Sequence, residues 1–369
     1  MKAGEPEHMS TQQSHDQIDP EKLKAGGQKV FGLLSGALIS AMIHLGDRLG
    51  LYRALHGAGP VTSEELADKT GLSERWVREW LRGQAAAQLL EYAGEDRFSL
   101  SSEMAMILAD EDSPKFAAGI FGDFPQRMAI LEKLPEAFRT GLGLPYDARG
   151  PEGARGIERV FAPWYRHALI PIVLPALDGV ESRLRAGAKV ADVGCGAGVA
   201  LVQMASAFPQ ADFHGYDISE HALARANANK AEAGLTNLRF HHAAQDGLPT
   251  DASFDFITTF DCIHDMTRPA EAIRAIRAAL KPDGTWLIAD IKSAPTFEEN
   301  LKNPMTGLMY AFSVMGCMSS ALSEPDGAGL GTLGFNEQVA RSMTRDAGFT
   351  RFTRHDFDNP FNAYYEVRP

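Results

Sequence analysis

At 369 residues, and at about 150 residues per domain, the chain is long enough for two domains. Its 44% apolar and 23% charged residues are the balance of a globular protein, not of a disordered one. A formal charge of −12 argues against a general nucleic-acid binder. The three cysteines, Cys195, Cys262 and Cys317, are too few and too scattered for a disulfide framework or a zinc cluster, and they fit a reducing, cytoplasmic setting.

Residues 1–20 are polar, carry no apolar run of the secretory kind, and read as a disordered tail. Between Val30 and Leu55 the apolar residues Phe31, Leu34, Leu38, Met42 and Leu45 recur every three or four positions, a helical stripe. Val30–Gly46 and Asn303–Ser323 are free of formal charge, but a membrane span needs about 20 predominantly apolar residues. Serines, His44 and Pro304 interrupt the two runs, so both read as buried helices and no membrane partner is expected. Thr62 and Glu65 have the spacing of a capping box, which predicts a helix from Ser63. Gly71 can close that helix and Ser73 can cap a second one from Glu74. A hairpin around Gly94-Glu95-Asp96 follows, so residues 21–110 are expected to form a winged-helix domain.

A winged helix can place its second helix in the major groove of DNA. Here that helix sets Arg75, Arg78 and Arg82 against Glu74 and Glu79, too small a surplus for phosphate binding, so a dimerisation role is expected instead. Residues 111–185 read as a helical connector, with a Gly- and Pro-rich loop at Gly141–Gly153 and a long helix over Ile157–Leu177 carrying Phe161, Trp164 and Tyr165.

From Lys189 strands and helices alternate, the pattern of an α/β Rossmann-like parallel sheet over residues 186–369. The strands are Lys189–Val193, Ala211–Tyr216, Leu238–His242, Phe254–Phe260 and Thr285–Ile291; the helices are Val199–Phe208, Ser219–Ala233 and Pro269–Leu280. A helix at Asn336–Ala347 precedes two strands whose short Asp358-Asn359-Pro360 link makes the last one antiparallel. The first strand runs into Asp192-Val193-Gly194-Cys195-Gly196-Ala197-Gly198 and a helix start, a backbone that can approach an anionic ligand closely. Asp217 ends the second strand, where a carboxylate can accept from ribose hydroxyls. Val199 stands where a dinucleotide fingerprint needs its third glycine, so a different nucleoside ligand is indicated. His241 and His242 are adjacent on a strand and point to opposite faces, so they form no metal pair, and no metal is expected.

These motifs resemble the class I S-adenosylmethionine-dependent methyltransferases, with their seven-stranded sheet and antiparallel last strand. The resemblance implies a cofactor site of Asp192, Gly194, Gly196, Gly198, Asp217 with Ile218, Asp246 with Gly247, and Phe260 with Asp261 at the methionyl end. It implies S-adenosylmethionine as cofactor and S-adenosylhomocysteine as product. His264-Asp265 is similar to the His-Asp pair of plant and bacterial O-methyltransferases, in which the histidine takes the substrate's proton, and Asp290 stands where that family has an acid beside it. Those enzymes carry a winged helix used for dimerisation, which implies a homodimer here. Met266-Thr267-Arg268 departs from their pattern, and the layout is closer to mycobacterial winged-helix-fused methyltransferases.

The insertion 294–334 lies on the ligand side and is expected to act as a lid, with Met305, Met309, Tyr310 and Phe312 in the substrate pocket and Tyr146 as a further wall. A small, partly apolar molecule is the expected acceptor, most simply through a hydroxyl. Transfer to a thiol or thioether, which needs no base, and a cofactor-sensing transcription regulator are the alternatives.

Overall fold

The structure is a computed structural model and describes residues 18–369. Residues 1–17 of the expected tail lie outside it, and Pro20 already opens the first helix. That helix, α1 (Pro20–Arg48), starts with the Asp19 side chain accepting from the backbone N–H of Glu21 and Lys22. Only its last turns are packed: Ile43, His44, Gly46 and Asp47 are buried, and Trp80 Nε1 donates to Met42 O at 3.0 Å. Phe31, Leu33, Leu34 and Leu38 are 73, 69, 54 and 62% exposed. The expectation of a buried helix over Val30–Gly46 is therefore overturned. The apolar stripe exists, but among the described residues no other element covers its N-terminal half. By length and composition α1, at 29 residues, is the one described helix that would suffice to cross a membrane.

After a break at Gly50, α2 (Leu51–Leu55) leads to α3 (Ser63–Thr70) and α4 (Glu74–Ala86). Thr62 and Glu65 make the expected capping box and Gly71 closes α3 in the left-handed region, whereas the Ser73 side chain makes no capping bond to α4. Strands β1 (Glu91–Gly94) and β2 (Arg97–Ser99) pair antiparallel around Glu95 and Asp96, completing the winged helix. Tyr52, Leu66, Leu81 and Phe98 fill its core. All three α4 arginines are engaged by acids, Arg75 with Glu79, Arg78 with Glu74 and Arg82 with Asp96.

The connector begins its long helix earlier than expected. Gly150–Trp164 runs through a π-turn over Tyr165–Val173 into Leu174–Ala176, so the loop shortens by the first turn. Pro151 sits in that first turn, where its missing N–H would have had no partner. Arg159 reaches from this helix to buried Asp47 at 2.6 and 2.9 Å, tying the connector to the winged helix.

The seven-stranded sheet has the order β5-β4-β3-β6-β7-β9-β8. Its strands are β3 (Lys189–Val193), β4 (Asp212–Asp217), β5 (Leu238–His242), β6 (Phe254–Phe260), β7 (Leu280–Ile291), β8 (Arg351–His355) and β9 (Asn362–Arg368). Only β9 runs antiparallel to its neighbours, and β7 starts at Leu280 rather than Thr285. Successive strand residues enter opposite cores: Phe256 and Leu287 pack with Leu169, Leu201 and Met204, while Ile257, Trp286 and Ile288 pack with Ile273, Phe335 and Phe349. Each large side chain so buried contributes about 1.5–3 kcal/mol. The chain moves from β3 to β4 and β5 on one side and returns to β6 and β7 on the other. The crevice at the carboxyl ends of β3, β4 and β6 is therefore the topological switch point, where ligands bind in open α/β sheets.

Candidate active site

At this crevice β3 turns into the helix Val199–Ala207 through three glycines with φ of 73°, 54° and 72° at Gly194, Gly196 and Gly198. Side chains strain in that region. Packing adds a second reason: a Cβ at Gly194 would come within 2.6 Å of the Cys262 side chain, and one at Gly198 within 2.5 Å of the Phe240 ring. A Cβ at Gly196 would meet nothing within 4 Å, so open space lies on that side of the loop. Asp217 faces this loop and accepts from Gly196 N at 2.7 Å and Ser219 N at 2.8 Å. Burial raises its pKa, and those backbone donors oppose the rise. Ile218 next to it is 59% exposed, an apolar side chain left open at the rim. Asp192 lies deeper, accepting from Thr258 Oγ1 at 2.8 Å, and burial pushes it up to about 8. Asp246 and Gly247 stand on an exposed turn after β5.

A second group gathers at the ends of β6 and β7. Phe260 is buried against the Tyr165 ring, and Asp261 has a φ of 51° and accepts from Asn362 Nδ2 at 2.5 Å. One short 3-10 turn later, buried His264 places Nδ1 2.6 Å from Asp290 Oδ1, which also accepts from Ile291 N at 2.7 Å. The acid beside the histidine is therefore Asp290, and Asp265 makes no such bond. A carboxylate accepts only, so Nδ1 carries the proton and Nε2 is the nitrogen left to accept. Burial alone would lower the His264 pKa, but Asp290 outweighs it and holds the imidazole well above its ordinary value. Asp265 is pushed up to about 7 and Asp261 to about 8, in both cases first by burial and further by the Asp290 charge. The Cys317 side chain is close enough to this imidazole to add to the rise.

Cys317 comes from the insertion, where Thr306–Phe312, a π-turn over Ser313–Cys317 and Met318–Ala321 form one helical run. Met309 is buried and Phe312 half-buried beneath the Arg127 guanidinium, 4.8 Å from its ring centre. Met305 and Tyr310 are exposed, with the Tyr310 ring edge-on to Phe297 on the outer side, so the structure does not bring these two to His264. Tyr146 does come in: Asp265, Asp217 and Cys317 all lie close enough to raise its phenol, after burial as the main cause. Its loop is pinned at both ends. Gly143 N donates to Leu322 O and Leu144 N to Ser319 Oγ, each at 2.8 Å, while Asp147 accepts from Ser219 Oγ and from Glu220 N. Sequence spacing gave no sign of the Asp147–Ser219 contact, because it joins segments far apart in the chain. Among the described residues no His, Cys, Asp or Glu group is arranged to hold a metal ion.

Residues 184–353 match the family described as a methyltransferase domain, and residues 37–110 match an Rv2258c-like winged HTH domain. A ubiquinone biosynthesis O-methyltransferase of Paraburkholderia phymatum is 30% identical over 163 residues, 44% of this chain and 63% of that protein. The corresponding protein of Leptothrix cholodnii is 28% identical over 131 residues, 35% of this chain and 54% of its own length. The chain thus spans less than two thirds of these relatives. Human N-acetylserotonin methyltransferase in complex with S-adenosylmethionine superposes with a TM-score of 0.67 at 17% identity, covering 96% of this chain and 99% of that one. Mitomycin 7-O-methyltransferase gives 0.66 at 20% identity, covering 95 and 99%. Both therefore share the whole fold, winged helix included. The chain thus carries a methyltransferase domain at 184–353 with an Rv2258c-like winged helix in front of it.

Proposed function

We propose that this protein transfers a methyl group from S-adenosylmethionine to a hydroxyl oxygen of a small, partly apolar molecule, with His264 as the general base. The observation that carries the reading is the buried His264–Asp290 pair, two residues beyond Cys262, which packs against the glycine loop at Gly194. The residues suit the cofactor. Asp217 can exchange its Gly196 bond for ribose hydroxyls, and Ile218 offers an apolar face to the adenine ring. Open space over Gly196 admits the ligand, with Asp246 and Gly247 at the adenine side and Asp192, Gly194, Gly198, Phe260 and Asp261 around the methionyl end. When bound, the cofactor supplies an electrophilic methyl group.

His264 Nε2 accepts the hydroxyl proton as the oxygen attacks, and Asp290 holds the ring in the right tautomer and stabilises the imidazolium. Tyr146, Met309 and Phe312 are the wall residues best placed to exclude water, with Met305 and Tyr310 at the mouth. Orientation of acceptor and methyl group supplies much of the rate. The test is transfer of radiolabelled methyl from the cofactor into a small-molecule extract of the source cells. Label in a low-mass product, abolished by Asp217→Ala, is expected. Cofactor binding without any transfer would overturn the reading in favour of a cofactor-sensing regulator, although the paired arginines of α4 speak against DNA binding.

The proposed partner is a second copy of the chain. Soluble monomers rarely leave an apolar stripe like Phe31, Leu34 and Leu38 open. Light scattering should give a dimer for the wild type and a monomer for the double variant Phe31→Lys, Leu34→Lys. A wild-type monomer at micromolar concentration would refute it. Free, mostly buried cysteines fit a cytoplasmic setting.

A further inference from the structure

The glycine loop, residues 194–198, is held mainly through its N–H groups. Gly194 N and Cys195 N donate to Tyr216 O at 2.8 and 3.1 Å, Gly198 N donates to Cys195 O at 2.9 Å, and Gly196 N donates to Asp217 at 2.7 Å. Among the described residues one side-chain N–H reaches a carbonyl of this loop: Asn229 Nδ2 donates to Ala197 O at 3.0 Å. The same nitrogen donates its second hydrogen to Glu158 Oε1 at 2.9 Å, so both amide hydrogens are used and the amide is fixed in one orientation. Glu158 is held in turn by Arg225, with Nε on Oε2 at 2.7 Å and Nη2 on Oε1 at 3.1 Å. Arg225 and Asn229 stand four residues apart on one face of the helix Glu220–Glu232, and Glu158 comes from the connector helix Gly150–Trp164. A second observation sets Asn229 apart. Asparagine is a poor residue for a helix interior because its amide competes for nearby backbone groups. Asn227 does so, donating to Leu223 O of its own helix. The Asn229 amide instead leaves its helix and joins two other segments, one of them the glycine loop.

Asp217 has two competing tasks. It anchors the loop at Gly196, and in the proposed cofactor complex its carboxylate turns to the ribose hydroxyls and gives that anchor up. Three glycines limit the backbone very little, so the loop then depends on the contacts that remain. We propose that Asn229 is a positioning residue of the cofactor loop: oriented by the Glu158–Arg225 pair, it holds the Ala197 carbonyl so that the loop keeps its shape while Asp217 is engaged elsewhere. Asn229 acts through the loop and not on the reacting atoms, and Glu158 acts one step further back, through Asn229. The residue after Glu158, Arg159, is bonded to Asp47, so the turn of helix that orients Asn229 is also the one tied to the winged helix. The proposal rests on the loop and Asp217 being the cofactor site.

The test is calorimetric binding of S-adenosylhomocysteine to the full-length protein and its variants. Asn229→Ala is expected to raise Kd about three- to tenfold, the effect of one lost hydrogen bond. Glu158→Gln keeps an acceptor for the amide but loses the ion pair, and a smaller rise of about two- to threefold is expected. The double variant should bind no more weakly than Asn229→Ala alone, because Glu158 works through Asn229. Asn227→Ala on the same helix should bind as the wild type does. Thermal melting checks that each variant is folded. A residue that only paired the two helices would lower the melting temperature and leave the Kd of the folded protein unchanged. An unchanged Kd in folded Asn229→Ala, or two effects that multiply in the double variant, would overturn the proposal. Should Asn229→Ala fail to fold, Glu158→Gln decides alone, and an unchanged Kd there overturns it. A wild type that binds no S-adenosylhomocysteine would overturn the cofactor-site reading and this proposal with it, whereas differences among the variants bear on Asn229 only.

Discussion

Replacing His264 with Gln is expected to lower kcat by about 10²–10⁴-fold while the cofactor Kd stays within a few-fold. The effect is large because the glutamine amide keeps the volume of the imidazole but cannot take a proton at neutral pH. Cofactor binding is spared because His264 sits at the β6–β7 end of the crevice, whereas Asp217 and the glycine loop hold the nucleoside end. The pH dependence has a definite sign. Only neutral His264 can accept a proton, and Asp290 raises its pKa well above the ordinary value, outweighing burial. kcat/KM should therefore fall as pH drops through a value above about 6.5. The wild type should show this acidic limb and the Gln variant should lose it. Turnover near the wild-type level in the variant, with the limb intact, would exclude the base and leave transfer to a thiol or thioether as the better reading.

Asp217→Ala is expected to weaken cofactor binding by about 10²-fold or more, read by calorimetry. A carboxylate accepting from two ribose hydroxyls makes hydrogen bonds worth about 1.5–3 kcal/mol each, and alanine makes neither. The substitution also removes the acceptor of Gly196 N and Ser219 N, so the loop and the start of the helix Glu220–Glu232 lose a shared anchor. Asp217→Glu separates the two causes. If the longer acid restores loop order, seen as recovered thermal stability, without restoring affinity, then carboxylate position governs binding. Unchanged affinity in Asp217→Ala would refute the assignment of the ribose site.

What could be read from sequence was what local rules decide. Thr62, Glu65 and Gly71 fixed the limits of α3 because capping satisfies backbone donors within one turn. The ends of β3, β5 and β6 were legible because apolar runs with turn signals at both ends admit few alternatives. What escaped was decided by distant contacts. Periodicity marked the apolar face of α1 but carries no information on whether anything covers it. Met305, Met309 and Tyr310 could be assigned to a helix, yet which of them turns inward depends on how that helix is rotated against Arg127 and the Gly143 loop.

The loop from Gly143 to Asp147 has a consequence for the order of events in a catalytic cycle. At one end it is bonded to Leu322 and Ser319 of the insertion, and at the other to Ser219 and Glu220 beside Asp217. A Cβ at Gly143 would lie 1.9 Å from Ser319 O, so only a glycine lets the strap come this close to the insertion. Swinging the insertion outward pulls on the same strap that lies beside the nucleoside end. In the proposed reaction, product and spent cofactor share that strap, and their departures are expected to be coupled in pre-steady-state release measurements.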